Sequence, residues 1–138
     1  MGLFDREQTF KYKKIFLKYW KQKDFKAVYG YLEENSFEYK LDTFEKLVKG
    51  LNENEIFNYL VYLISVQPST KNVVFVCEYL LYINPTFYDI YSVIGMFLRY
   101  KLSFGIDKSL INWIFDIFEG SPDSPFSIEE LNEMKKYK

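Results

Sequence analysis

Val73-Val74-Phe75-Val76-Cys77-Glu78-Tyr79-Leu80-Leu81-Tyr82-Ile83 is the most apolar run of the chain and sets its expected architecture. It holds one acidic residue, Glu78, and is apolar on nearly every side. Pro68-Ser69 breaks the chain before it and Asn84-Pro85 after it, which leaves a segment from about Thr70 to Ile83. Its β-branched and aromatic residues would also suit a strand. Helix is the reading because polar positions in this segment and the preceding one recur at steps of three and four rather than two. A helix that is apolar all round is a buried, central one, so the segment is expected at the centre of an all-α fold.

Working outward, the same periodicity recurs. Toward the N-terminus, a helix from Glu7 to Lys21 carries Tyr12, Phe16, Tyr19 and Trp20 on one face and Lys11, Lys14, Lys18 and Lys21 on the other. Asp24 is placed to N-cap a short helix whose Val28, Tyr31 and Leu32 point inward. A third helix is expected over Phe37 to Leu51. Asn52-x-x-Glu55 reads as a capping box for a fourth, with Glu55, Asn58, Tyr62 and Ser65 outward and Phe57, Leu60, Val61 and Ile64 inward. Toward the C-terminus, a helix spans Thr86 to Lys101, and Ser92-x-x-Gly95 offers it a flat spot for close helix packing. Asp107 to Glu119 follows, with Leu110, Ile111, Ile114, Phe115 and Phe118 inward. After the loop 120–125, Ser127-x-x-Glu130 caps a last short helix ending near Tyr137. The expected fold class is all-α: an irregular helical bundle, or a short helical-hairpin repeat, of about seven or eight helices in a single domain, 1–138.

Composition narrows the chemistry. The chain has 138 residues, long enough to bury a core without a metal or disulfide staple. It has no histidine and one cysteine, so Ser-His-Asp and Cys-His catalysis are excluded within it. Cys77, embedded in apolar sequence, reads as an inert core thiol, and its isolation fits a reducing cytoplasm. The glycines form neither a dinucleotide fingerprint nor a phosphate-binding loop. Glu129, Glu130 and Glu133 lack a calcium-loop pattern, and the pair Asp116 and Glu119 reads as solvated helix surface. No cofactor, metal or small-molecule substrate is expected. The start, Met1-Gly2-Leu3-Phe4-Asp5-Arg6, has no apolar targeting core, and apolar runs reach only about half a bilayer span. A cytoplasmic protein without a membrane partner is therefore expected.

Two features point to recognition. Phe, Tyr and Trp make up 29 residues, more aromatic surface than one core needs. Tyrosine in particular offers contact area at low entropic cost. The chain carries −1 overall, but residues 1–30 balance at +5 and residues 103–134 at −6. Lysines outnumber arginines sixteen to two, which argues against specific nucleic-acid readout by the lysine stripe. Protein-contact residues are sought in the acidic stretch, at Asp107, Asp116, Glu119 and Asp123, and on the tyrosines Tyr79, Tyr82 and Tyr91, with Phe75 and Phe87 beside them.

From Asn54 onward, Phe57, Leu60, Ile64, Val73, Cys77, Leu80 and Pro85 fall at the offsets of a helix pair that resembles a tetratricopeptide repeat. Tyr91, Ile94, Gly95, Leu98, Ile111 and Ile114 follow in the next 34 residues, so the spacing covers 54–121. Val73, Leu80, Asp107 and Ile114 depart from it, since that family keeps those positions small. In size, acidic C-terminal third and surplus tyrosine, the chain is similar to small all-helical bacterial immunity proteins. That resemblance implies a non-enzymatic interaction module that binds and occludes a toxin domain, such as a basic nuclease. The alternative is a tetratricopeptide- or HEAT-like adaptor that binds a host peptide or protein.

Overall fold

Local hydrogen bonding starts and stops the helices. The computed structural model describes residues 6–84 and 89–138. Among them are eight α-helices and no strand: α1 Arg6–Lys21, α2 Phe25–Glu34, α3 Leu41–Val48, α4 Glu53–Val66, α5 Thr70–Glu78, α6 Ile90–Leu102, α7 Lys108–Phe118 and α8 Ile128–Lys135. The fold is all-α, as expected. The expected start of the helix at Thr86, and Phe87 with it, lie outside the described residues.

The caps expected at Asp24 and Ser127 form, and the expected Asn52-x-x-Glu55 box forms only on its Asn52 side. Ser69 and Asp107 cap as well, two positions not among those expected. Asp24, Ser69, Asp107 and Ser127 each accept an N–H from the first turn of the helix that follows, and Ser127 and Glu130 complete a reciprocal capping box. Asn52 Oδ1 accepts the N–H groups of Asn54 and Glu55, while the Glu55 carboxylate accepts the Trp20 indole N–H at 3.2 Å. The end of α1 closes with Lys23 N–H donating to Trp20 O and Asp24 N–H to Tyr19 O, and Lys23 takes a φ of 56°. The end of α2 closes the same way through Ser36 and Phe37. Both are Schellman closures, here without the usual glycine. The second of them corrects the expected third helix. Ser36 stands at φ 60°, Phe37 donates back to Leu32 O at 2.7 Å, and α3 begins only at Leu41.

The chain divides into two compact units, Met1–Tyr62 and Leu63–Lys138, with the boundary inside α4. In the first, α1 packs on α2 and α3. Its core is aromatic. Tyr59 is fully buried and lies 5.5–5.7 Å, ring centre to ring centre, from Trp20, Phe25 and Phe44. The buried face of α4 is Ile56, Tyr59, Leu60, Leu63 and Ile64, whereas Phe57 and Val61, expected inward, are half-exposed. The inward stripe is therefore rotated from the expected one, because the large Tyr59 ring is held by its aromatic neighbours.

In the second unit α5 is central, packing on both α6 and α7, and α7 also meets α8. Val73, Val76, Cys77 and Leu80 are all at or below 1% exposure. Past Glu78 the helix changes pitch. Tyr79–Ile83 is a π-helical turn, closed by Asn84 N–H donating to Tyr79 O at 3.0 Å. A wider turn shifts the faces of the helix out of register, and this governs where the expected contact tyrosines fall. Helix α8 has no buried residue. It is held by Arg99 of α6, which donates twice to the Glu130 carboxylate and once to Pro125 O at 2.7 Å, and lies 4.7 Å over the buried ring of Phe126.

Candidate functional site

The tyrosines expected to form a contact stripe do not lie together on the surface. Tyr79 and Phe75 are core residues, at 4% and 3% exposure. This corrects the expectation that they face outward: the stripe of Phe75 and Tyr79 is buried in the core along with Val73, Val76 and Cys77. The π turn then rotates Tyr82 out to 58% exposure. Tyr91, on α6, is half-buried.

The acidic stretch is also less polar in charge than a window over sequence implies. Glu130 pairs with Arg99 at 3.0 Å, Glu133 with Lys136 at 3.0 Å, Asp107 with Lys101 at 3.8 Å and Glu119 with Lys138 at 3.9 Å. All four cations lie just outside 103–134. Widening the window to 99–138 adds Arg99, Lys101, Lys135, Lys136 and Lys138 and brings the balance from −6 to −1. Asp116, Asp123 and Glu129 are exposed and make no ion pair among the described residues. Asp107 has a structural task. It caps α7 through Leu110 N–H at 3.0 Å and accepts the Thr70 hydroxyl of α5. Burial pushes its carboxyl up, but the Thr70 and Leu110 hydrogen bonds and the Lys101 charge outweigh that and leave it below the ordinary range.

The structure assembles a different surface. Met96, Tyr100 and Phe104 stand at i, i+4 and i+8 at the end of α6 and just past it, at 63%, 43% and 59% exposure. The Tyr100 and Phe104 rings meet edge to face, 5.0 Å apart, and the Lys101 ammonium lies 5.9 Å from the Phe104 ring centre. Ile106 follows at 67%. The geometry has local causes. Ser103 Oγ donates to Tyr100 O at 2.6 Å and ends the helix, and Gly105 at φ 138° turns the chain. Asp107 then pins the far end of the turn to Thr70 and to α7. Single exposed apolar residues are ordinary, whereas here four of them lie close along the end of α6 and one pinned turn, with two rings in contact. The sequence does hold its signal. Helix α6 is apolar on two faces, Ile90, Ile94, Phe97 and Leu98 on one and Met96 and Tyr100 on the other, and only one of them can be buried.

No group of three or more Cys, Asp or Glu placed to hold a metal occurs among the described residues. Cys77 is fully buried, and burial, reinforced by Glu78, pushes its thiol far above the usual range. No helix of the described residues is long and apolar enough to cross a membrane. No family model, curated protein or solved structure matches the chain.

Proposed function

We propose that this chain is a non-enzymatic protein-interaction module that works by covering a surface of its partner, and that the partner is a toxin domain which it neutralises as an immunity protein does. The observation that supports this best is the exposed cluster Met96, Tyr100, Phe104 and Ile106 on a turn pinned by Asp107. Tyr100 and Phe104 supply rigid aromatic area, the kind that anchors interfaces. Lys101 and Asp107 at its edge, already paired with each other, would form part of a polar rim. Asp116, Asp123 and Glu129 remain available to a basic partner, and a net favourable contribution from them would appear mainly in the association rate.

The test is a titration. The protein encoded next to this chain would be assayed for toxic activity, with this chain added in increasing amounts. Masking predicts full protection near one equivalent, at concentrations above the dissociation constant, and loss of protection in Tyr100→Ala/Phe104→Ala. A central aromatic anchor is commonly worth about 2 kcal/mol or more. Protection at strongly sub-stoichiometric amounts, with the partner covalently altered, would make the chain an enzyme and refute the proposal. A neighbour without toxic activity that binds through the same cluster would favour the adaptor reading.

A further inference from the structure

One uncompensated stretch of the described surface is basic. Lys11, Lys14, Lys18 and Lys21 of α1 are exposed, and none has an ion-pair partner among the described residues. Residues 8–23 include no acid at all. Lys13, on another side of the helix, is engaged, donating to Lys49 O past the end of α3 at 2.8 Å. With 3.6 residues per turn, the four free lysines fill an arc of about 80°. At 1.5 Å per residue they rise about 15 Å, in steps of about 4.5 and 6 Å. Phe10 and Leu17 border the arc on one side and Ile15 on the other, Phe10 at 71% and Ile15 at 38% exposure. The opposite face, with Phe16 and Trp20, is buried in the core.

We infer that this face of α1 docks an acidic α-helical segment of a protein partner. A helix with carboxylates every third or fourth residue repeats at the same axial steps, so one ridge of acids can run along three turns of lysines. Its apolar flanks would then meet Phe10 and Leu17 on one side and Ile15 on the other. A phosphate backbone offers those apolar borders nothing, and the arc has neither arginine for base edges nor a row of aromatic rings for stacking. An interfacial membrane helix turns its apolar face to the lipid, whereas here that face is used by the core and charge occupies the middle of the exposed one. This docking is independent of the surface around Phe104.

A synthetic helix of about six turns, with Glu at alternating three- and four-residue steps and Leu beside them, is the probe, and its Glu→Gln counterpart is the control. Binding to the full chain is read by fluorescence anisotropy at about 0.05 and 0.3 M salt, a range over which the screening length falls from about 14 to about 6 Å. The Glu peptide should bind, lose about tenfold at the higher salt, and lose about tenfold or more against Lys14→Glu/Lys18→Glu. The milder Lys14→Gln/Lys18→Gln should show a smaller loss with an unchanged circular dichroism spectrum. Phe10→Ala/Ile15→Ala should weaken binding and keep its salt dependence. The inference is overturned if the Glu peptide does not bind at about 0.1 mM, near the weak end of measurable affinities, or if the Gln peptide binds equally. It is also overturned if the lysine variants bind as wild type, or if a DNA strand or phosphatidylserine vesicles compete more strongly than the Glu peptide.

Discussion

Replacing Gly95 by alanine sets helix propensity against packing, and the structure lets the two be compared. Gly95 lies inside α6 and is buried. Alanine there would favour the helix by about 1 kcal/mol. A methyl built on Gly95, however, would sit 2.8 Å from Arg99 Nη1 and 2.9 Å from Pro125 Cβ. Carbon atoms rest at about 3.5–4.0 Å, so something must move by more than half an ångström. The end of an arginine side chain is usually free to yield. Here it is tied to both Glu130 oxygens and to Pro125 O, so its retreat breaks the contacts that hold α8. Overpacking of this kind costs about 1–3 kcal/mol. Clash wins over propensity, and Gly95→Ala should destabilise by about 1 kcal/mol net, lowering Tm by about 3–5 °C for a chain of this size. The loss should be localised: hydrogen exchange should accelerate over 125–135 before it does in α5. Ser92→Ala, at an exposed position, should stay within about 0.5 kcal/mol of wild type. The structure corrects the expectation of a Ser92-x-x-Gly95 helix-packing spot, since Ser92 is exposed and what approaches Gly95 is Pro125. If Gly95→Ala is more stable than wild type, or exchange over α8 is unchanged, the tight seating of that loop is wrong.

Three further outcomes follow from buried groups and charges. Leu80→Ala, at 1% exposure within the π turn, should cost about 2–5 kcal/mol in chemical denaturation, and an unchanged midpoint would remove the segment from the core. The Tyr59 hydroxyl is buried without a hydrogen-bond partner, so Tyr59→Phe should be neutral or stabilising by up to about 1 kcal/mol. A clear loss of stability would reveal a partner for that hydroxyl. Hydrogen bonds from Arg99 and from Ser127 N–H hold the Glu130 carboxyl below its ordinary 4.5, and Asp107 lies below 3.8. With folded pKa values depressed, the folded state binds fewer protons than the unfolded one. The stability they contribute is therefore present above those ordinary values and lost as pH falls through the folded ones. Arg99→Met should flatten that acid limb, and an identical pH profile in the variant would show that the clamp contributes nothing.

The helices were legible along the chain, because their signals are local. Capping by Asp24, Ser69, Asp107 and Ser127, and the spacing of Leu110, Ile111, Ile114, Phe115 and Phe118, depend only on residues within one or two turns. Local chemistry also excluded histidine-based catalysis. Which side chains face outward depended on packing between segments. Tyr79 and Tyr82 are alike in sequence, yet one is core and one surface, because a π turn slips the register between them. The acidic stretch loses most of its charge to Arg99, Lys101, Lys136 and Lys138, and three of those four partners meet it only through folding over more than a turn of helix. The lysines of α1 look no different in sequence from those partners. They stay uncompensated among the described residues because no carboxylate there is folded within reach. Pairing and exposure depend on which segments meet, and periodicity along one segment has no information about its neighbours.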